Sequence, residues 1–384
     1  MQERRGLLLV TRNLPPLRGG MERLNARLAA EMSRTMDVTV VGPHGSGVLA
    51  VPGVEVIACP RPGLAAFLVW SMWTAGRVAR RRRPRWILGG SGLAAPAVLW
   101  ASVISGARRA VYLHGLDVVA RHPLYRAVWL PAIRRMHALI ANSRNTAALA
   151  RYAGVEAGRL DVVVPGVEPP LPPDPQAGFD FRTRHGLGHR KILLSVGRLT
   201  ERKGLTRFVE QSLPLILARQ PRGLLLVVGD AAPNALLQGG HDLRSQVDAV
   251  IARRDLADSV RFLGPISEEE LHAAYEASDL HVFPVVDRPG DVEGFGMVAI
   301  EAAAHGRSTV AFAVGGVPDA VREGESGYLI AQGDYAAFAG KVCDALERGP
   351  DAFAESARKF ALGLSWERFG LEIARALARH EGAP

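Results

Sequence analysis

Leu280-His-Val-Phe-Pro-Val-Val-Asp-Arg-Pro-Gly-Asp-Val-Glu-Gly-Phe-Gly-Met-Val-Ala-Ile-Glu301 is the stretch whose reading decides the fold. A short apolar run, 280–283, reads as a strand that Pro284 closes. A glycine-broken loop follows, and an apolar helix spans 296–305. Glu293 stands in the loop and Glu301 inside the helix. A loop entering a helix offers backbone N–H groups without intrahelical partners, where the dipole favours anions. The two carboxylates offer acceptors for hydroxyls. Strand, loop and helix in this order form one turn of an alternating α/β chain.

The same alternation runs outward in both directions. On the C-terminal side of a proline run, strands are expected at 192–196, 224–228, 260–263, 280–283, 309–312 and 328–330. Helices are expected at 204–219, 242–254, 267–277, 296–305 and 334–347. On the N-terminal side, strands are expected at 6–10, 38–41, 54–57, 86–88, 110–113, 138–141 and 161–164, with helices such as 20–34, 123–137 and 143–153 between them. Strands alternating with helices imply parallel sheets covered on both faces, with ligands at the C-terminal strand ends. Pro169-Pro-Leu-Pro-Pro-Asp-Pro175 places five prolines in seven residues, which neither an inner strand nor a helix interior tolerates. The expected division is therefore a domain over 1–168, a linker over 169–190, a second domain over 191–362 and a C-terminal helix within 363–384 that packs back toward the first domain.

Composition fits this reading. The chain has 384 residues, 48% hydrophobic and 22% charged, enough for two globular domains and too apolar for disorder. Cys59 and Cys343, far apart in sequence, suit a reducing compartment and read as small buried hydrophobes. The opening Leu7–Val10 run is too short for a signal-peptide core, and glycines and a proline break 86–107, so a cytosolic protein without a span is expected. Net charge is +9, unevenly placed: residues 1–170 hold 23 Arg, no Lys and 9 acidic residues, and the remainder holds 24 basic and 29 acidic. The first half is thus +14 and the second −5, which points to an anionic ligand, membrane or nucleic acid on the first half. The arginine run Arg80–Arg83 has no recognised nucleic-acid module around it, so no nucleic-acid partner is expected.

Leu193-Leu-Ser-Val-Gly-Arg-Leu-Thr-Glu-Arg-Lys-Gly204 ends a strand at Gly197 and supplies Arg198 and Lys203 beyond it. Two cations at a strand's C-terminal end suit a diphosphate, with Arg as a planar fork and Lys as a point charge. The alternative is a pair of solvated surface cations. Gly315-Gly-Val-Pro-Asp319 starts another helix at another strand end.

In this order, Gly197-Arg198…Lys203-Gly204, Phe262-Leu-Gly264, Glu293-Gly-Phe-Gly296…Glu301-Ala and Gly315-Gly-Val-Pro resemble the retaining nucleotide-sugar glycosyltransferases of family four, over nearly the whole chain. The resemblance implies the GT-B fold, two Rossmann-like domains of mainly parallel sheet facing across a cleft. It implies donor-binding roles for Gly197, Arg198, Lys203, Gly264, Ile266, Glu293, Phe295, Gly296, Met297, Val298 and Glu301. Glu301 would take ribose hydroxyls and Arg198 and Lys203 the diphosphate. Phe295 to Val298 would present backbone N–H groups, Glu293 would contact the transferred sugar, and Gly264 to Ile266 would border the base. The pyridoxal-binding lysine region of the phosphorylase-like relatives is not found.

In the first half, Pro15-Pro-Leu-Arg-Gly19-Gly20-Met-Glu22 follows the first strand, and the resemblance implies that its glycines approach the distal phosphate. It places His114, at the end of strand 110–113, at the reacting sugar, with Glu22 and Asp117 on the acceptor side. Asn142-Ser143 reads first as a helix N-cap. Gly90-Ser-Gly92-Leu-Ala-Ala95 matches a dinucleotide fingerprint, but no acidic residue ends the next strand as a ribose contact requires, so no nicotinamide or flavin cofactor is expected.

The family needs no metal, and the chain contains no Asp-x-Asp. The expected catalytic set is His114, Glu293, Arg198 and Lys203, with no metal and no cofactor. Glu293 reads either as a nucleophile or as a sugar contact, and the resemblance favours the contact. The long Pro284–Val292 loop resembles mannosyltransferases of phosphatidylinositol mannosides and polysaccharide precursors. The expected reaction is hexose transfer to a glycan or lipid-linked hydroxyl in bacterial envelope polysaccharide, lipopolysaccharide or glycolipid synthesis. A small soluble acceptor and a non-catalytic GT-B binding protein are the alternatives. Phe67, Trp70 and Trp73 at helical spacing, followed by Arg80, Arg81, Arg82 and Arg83, suit a helix lying on an anionic inner membrane face; a packed core helix is the other reading.

Overall fold

The computed structural model describes residues 6–17, 19–169, 172–229 and 243–382. The chain divides into two compact units, Met1–Gly166 with Trp366–Pro384, and Val167–Ser365.

The first unit holds seven parallel strands: β1 (Gly6–Val10), β2 (Asp37–Gly42), β3 (Val54–Ala58), β4 (Trp86–Gly89), β5 (Arg108–Leu113), β6 (Ala138–Ala141) and β7 (Leu160–Val162). Their order is β3-β2-β1-β4-β5-β6-β7. Inner strands β4 and β6 are buried along their whole length, and β1, β2 and β5 over all but their first one or two residues, because helices cover both faces, hence the unbroken runs Leu7–Val10 and Ala138–Ala141. Helices Leu64–Arg82 and Ala95–Ser105 cover part of one face, and Gly76 lets them approach: a Cβ there would stand 3.0 Å from Ile104 Cδ1 and 3.1 Å from Trp100 Nε1.

The final helix, Trp366–Arg379, belongs to this unit rather than to the one it follows in sequence. Trp366, Phe369, Ile373 and Leu377 form its buried face, and Phe369 meets Tyr112 edge-on at 5.9 Å. Asp161 fastens its end by accepting from Arg379 at 2.5 Å and from His380 at 2.9 Å.

The second unit holds six parallel strands: β8 (Lys191–Val196), β9 (Gly223–Val228), β10 (Val260–Gly264), β11 (Leu280–Phe283), β12 (Thr309–Phe312) and β13 (Gly327–Ile330). The order is β10-β9-β8-β11-β12-β13. All thirteen expected strands form, the seventh at 160–162 instead of 161–164. The helix expected at 242–254 is described from Leu243, since residue 242 lies outside the described residues.

The expected linker over 169–190 is corrected. Its start and residues 185–190 are irregular, and residues 170 and 171 lie outside the described residues. Pro175–Arg184 is a helix capped by Asp174, whose carboxylate accepts from the Ala177 N–H at 2.9 Å. Proline is favoured at the first helical position, so the last proline of the run starts this helix. Phe181 is fully buried in the core of the second unit, and Gly178 lies against the Glu276 backbone. The helix Ala95–Ser105 also lies where only a broken apolar stretch is expected. Its glycine neighbours, Gly92 and Gly106, flank the helix instead of interrupting it.

Candidate functional site

In each sheet the strand order reverses beside the unit's first strand: between β8 and β11 in the second unit, and between β1 and β4 in the first. Loops leaving such a switch point diverge to opposite faces and leave a crevice at the strand ends. Most of the candidate residues follow strands at or next to these two places, whereas Gly264 and Ile266 follow the edge strand β10.

In the second unit the β8 loop carries Arg198, Arg202 and Lys203, and the β11 loop carries Asp291 and Glu293. Lys203 Nζ donates to Glu293 Oε2 at 2.8 Å, and Arg202 donates to the same oxygen and, from Nε, to Asp291 Oδ1 at 3.0 Å. Lys203 also lies 4.6 Å over the ring of Phe283. Glu293, Lys203 and Arg202 are only 12%, 18% and 13% exposed, so this cluster is largely withdrawn from water. Burial by itself would raise the Glu293 carboxyl, but Lys203 and Arg202 outweigh it and hold it at about 2. Burial lowers Lys203, and Glu293 only partly restores it.

Glycines let these loops meet. Gly204 has φ +69°, and a Cβ on it would stand 2.0 Å from the Pro284 carbonyl oxygen. Val286 N–H donates to the Arg202 carbonyl at 2.8 Å. From the next strand, Gly316 N–H donates to the Glu293 carbonyl at 2.9 Å, and a Cβ there would stand 2.0 Å from the Gly294 carbonyl oxygen. The Gly315-Gly316 turn therefore buttresses the backbone that carries Glu293.

Gly296, at φ +101°, caps the Met297–Ala304 helix without a side-chain hydrogen bond. Phe295 is buried, and its backbone and that of Gly296, Met297 and Val298 form the entry to the helix. Glu301 is buried on that helix. Gly197 closes β8 by donating to the Val228 carbonyl, and Gly264 closes β10 by accepting from Gly229 N–H at 2.9 Å. Ile266 packs, partly buried, against the neighbouring core. Arg198 is exposed on the same loop.

Arg202 and Asp291 are the residues that sequence reading missed. Both lie inside quoted segments, but their pairing joins two loops 89 positions apart. The signal was Arg202 beside Lys203 in a tight turn, where two adjacent buried cations require carboxylates.

In the first unit His114 Nε2 lies 2.9 Å from the Gly90 carbonyl, to which it donates, and its ring meets Tyr112 edge-on at 5.1 Å. Asp117 accepts from the His114 N–H at 2.7 Å and from the Gly92 N–H at 3.0 Å. Burial raises the Asp117 carboxyl, opposed by His114 and by those two N–H groups. The Gly90-Ser-Gly92 motif thus acquires a use unrelated to a dinucleotide. A Cβ on Gly92 would stand 2.7 Å from Asp117 Cβ, and one on Gly90 2.7 Å from Thr11. After β1, Gly19 and Gly20 open the Gly20–Ser33 helix; Glu22 accepts from Asn13 Nδ2 at 2.8 Å, and Arg18 lies outside the described residues. Ser143 caps its helix by accepting from Thr146 N–H at 3.0 Å.

The Leu64–Arg82 helix differs from its expected orientation. Phe67 is buried and Trp70 packs against the core, so neither shares the exposed face of Trp73. That face is Val69, Met72 and Trp73, continued on the neighbouring helix by Trp100, Val103 and Ile104. Arg80, Arg81 and Arg83 are exposed, but Arg82 turns back to Thr39, at 2.9 Å, and to Glu55. Among the described residues, no helix is long and apolar enough to cross a membrane.

Two Rossmann-like units of parallel sheet, each with glycine-lined loops at its switch point, define the GT-B class of glycosyltransferases. The chain belongs to glycosyltransferase family 4: residues 18–170 match the model described as Glycosyltransferase Family 4, and residues 190–348 match Glycosyl transferases group 1. A similar relative is the GDP-mannose-dependent alpha-(1-6)-phosphatidylinositol monomannoside mannosyltransferase of Mycolicibacterium smegmatis, 30% identical over 97% of this chain and 98% of the relative. Among solved structures, sucrose-phosphate synthase from Thermosynechococcus elongatus superposes with a TM-score of 0.83 at 22% identity, covering 99% of this chain and 100% of that one. HepE from Anabaena in complex with UDP superposes with a TM-score of 0.77 at 22% identity, covering 97% and 100%.

Proposed function

We propose that this chain is a retaining, metal-independent hexosyltransferase that moves a hexose, with mannose the first candidate, from a nucleoside-diphosphate sugar to a hydroxyl of a glycan or lipid-linked acceptor in envelope glycan synthesis. The observation that carries the proposal is the cationic group Arg198, Arg202 and Lys203 at the β8/β11 switch point, with Glu293 and a glycine-started helix beside it. The 30% identical mannosyltransferase supports mannose and a lipid-linked acceptor.

In this reading Arg198 and Lys203 neutralise the diphosphate as it leaves, a stabilisation of developing charge that a metal supplies elsewhere. The N–H groups from Phe295 to Val298 receive the distal phosphate and sugar hydroxyls, Glu301 the ribose, and Gly264 to Ile266 the base. Gly19, Gly20 and Gly197 admit the phosphates close to the backbone. His114 serves the reacting sugar, and Glu22 and Asp117 the acceptor. Glu293 is held ionised by two cations and has a carboxyl pKa of about 2, which makes it a weak base and favours a sugar contact over a nucleophile. Same-face displacement follows, with the leaving phosphate taking the acceptor proton. The face Val69, Met72, Trp73, Trp100, Val103 and Ile104, flanked by Arg80, Arg81 and Arg83, suits docking of a cytosolic enzyme on an anionic inner membrane surface.

A screen of donor hydrolysis and transfer across UDP-, GDP- and ADP-sugars, with and without chelator, tests the reading. Turnover that survives chelator and gives a product with the donor's anomeric configuration supports it. Absence of both turnover and nucleotide binding overturns it in favour of a non-catalytic binding protein.

A further inference from the structure

The Glu268–Ala277 helix presents His272 and Glu276 four residues apart, on one side of the helix, and His305 follows the Met297–Ala304 helix. One nitrogen from each histidine and one oxygen of Glu276 all lie within 4.8 Å of one another. His272 Nδ1 is 2.8 Å from His305 Nε2. The other ring nitrogen of His305 lies 2.8 Å from the Glu301 carbonyl. A carbonyl only accepts, so His305 carries its proton on Nδ1, and its Nε2 lone pair points at His272. This second-partner arrangement fixes the tautomer of metal-bound histidines. Tyr275 holds the ring in place by stacking on it at 4.7 Å.

We propose that His272, Glu276 and His305 form a binding site for a divalent transition ion of the zinc class. Two imidazole nitrogens and one carboxylate oxygen suit zinc, copper or nickel, whereas magnesium and calcium require more oxygen donors. Three protein donors leave a fourth position for water. Without an ion, the His272 Nδ1–H donates to His305 Nε2. Binding moves that proton to His272 Nε2, so both facing lone pairs coordinate and no net proton is released.

Arg307 approaches Glu276 at 3.5 Å, but its shorter hydrogen bonds, both 3.1 Å, go to the Tyr275 and Glu276 carbonyls. The carboxylate therefore keeps lone pairs for an ion. His305 stands at the far end of the helix from Phe295–Val298, about 12 Å along an axis rising ~1.5 Å per residue. The site clips two helices of the second unit together, independently of the transfer chemistry.

The test uses tag-free, full-length, chelator-stripped protein titrated with zinc against a chromophoric competitor, and with cobalt for its visible spectrum. Wild type is expected to take up one equivalent, show a low-symmetry cobalt spectrum and melt at a higher temperature with zinc. His272→Ala and Glu276→Gln are expected to weaken binding at least about tenfold and to abolish the melting shift. His272 and Glu276 lie outside the proposed transfer machinery, so donor hydrolysis by these variants also reports that they are folded. Zinc uptake as strong in the two variants as in wild type, or no stoichiometric uptake by wild type, overturns the proposal.

Discussion

Replacing Glu293 by Gln removes the anion that two largely buried cations share while keeping the side chain's shape. The Glu293 carboxyl falls from an ordinary 4.5 to about 2 on folding. A displacement of that size corresponds to about 3 kcal/mol of stability at neutral pH. The folded value is depressed, so this contribution is complete above pH 4.5 and is lost as pH falls through 4.5 toward 2. About half of it remains at pH 3. Urea unfolding of wild type and Glu293→Gln, repeated from pH 7 to pH 3, measures the gap between them. All six tryptophans lie in the first unit, so far-UV circular dichroism is the appropriate probe for the second. The expected gap of about 3 kcal/mol at pH 7 narrows steadily below pH 4.5. A gap that is absent at pH 7, or constant down to pH 3, refutes the reasoning that Lys203 and Arg202 stabilise the fold through this carboxylate.

Arg198→Ala is expected to lower kcat/KM at least about tenfold, roughly 1.4 kcal/mol of transition-state stabilisation, and a near-wild-type rate removes Arg198 from the diphosphate site. Arg202→Ala is expected to raise the Glu293 carboxyl toward its ordinary value, because one of its two cations is gone, and a pH titration of that carboxyl by NMR that leaves it near 2 contradicts the pairing. Gly204→Ala must adopt a left-handed backbone and also collide with the Pro284 carbonyl, so its loss of melting temperature should clearly exceed that of Gly264→Ala, which has φ +70° but open space at its Cβ; that strain alone costs about 1–2 kcal/mol. Trp73→Glu combined with Trp100→Glu should abolish flotation with anionic vesicles, and equal flotation by the variant and wild type removes the proposed docking face.

The order of elements was legible because it depends on local patterns. Apolar runs of four to six residues bounded by glycine or proline give strands, and the strand-helix alternation leaves few alternatives to parallel sheets. The glycine-rich turns were legible for a related reason. Gly197, Gly204, Gly296 and Gly315 stand at positive φ, where side chains are strained, so the residue type itself marks the turn. The proline run misled because proline both stops one element and starts another. The buried Phe181 and the packing of Gly178 against the Glu276 backbone show that Pro175–Arg184 belongs to the second unit.

The sequence by itself thus determined the two sheets, the glycine-marked turns and the family of the chain. Tertiary structure alone decided which polar groups meet: Arg202 with Glu293 and Asp291, Asp117 with the Gly92 amide, and His272 with His305. It also decided which aromatics on the Leu64–Arg82 helix face water. The physical reason is one of range. Backbone conformation responds to neighbours in sequence, whereas the pairing and desolvation of a side chain depend on residues brought beside it from distant strands, and no local pattern records them.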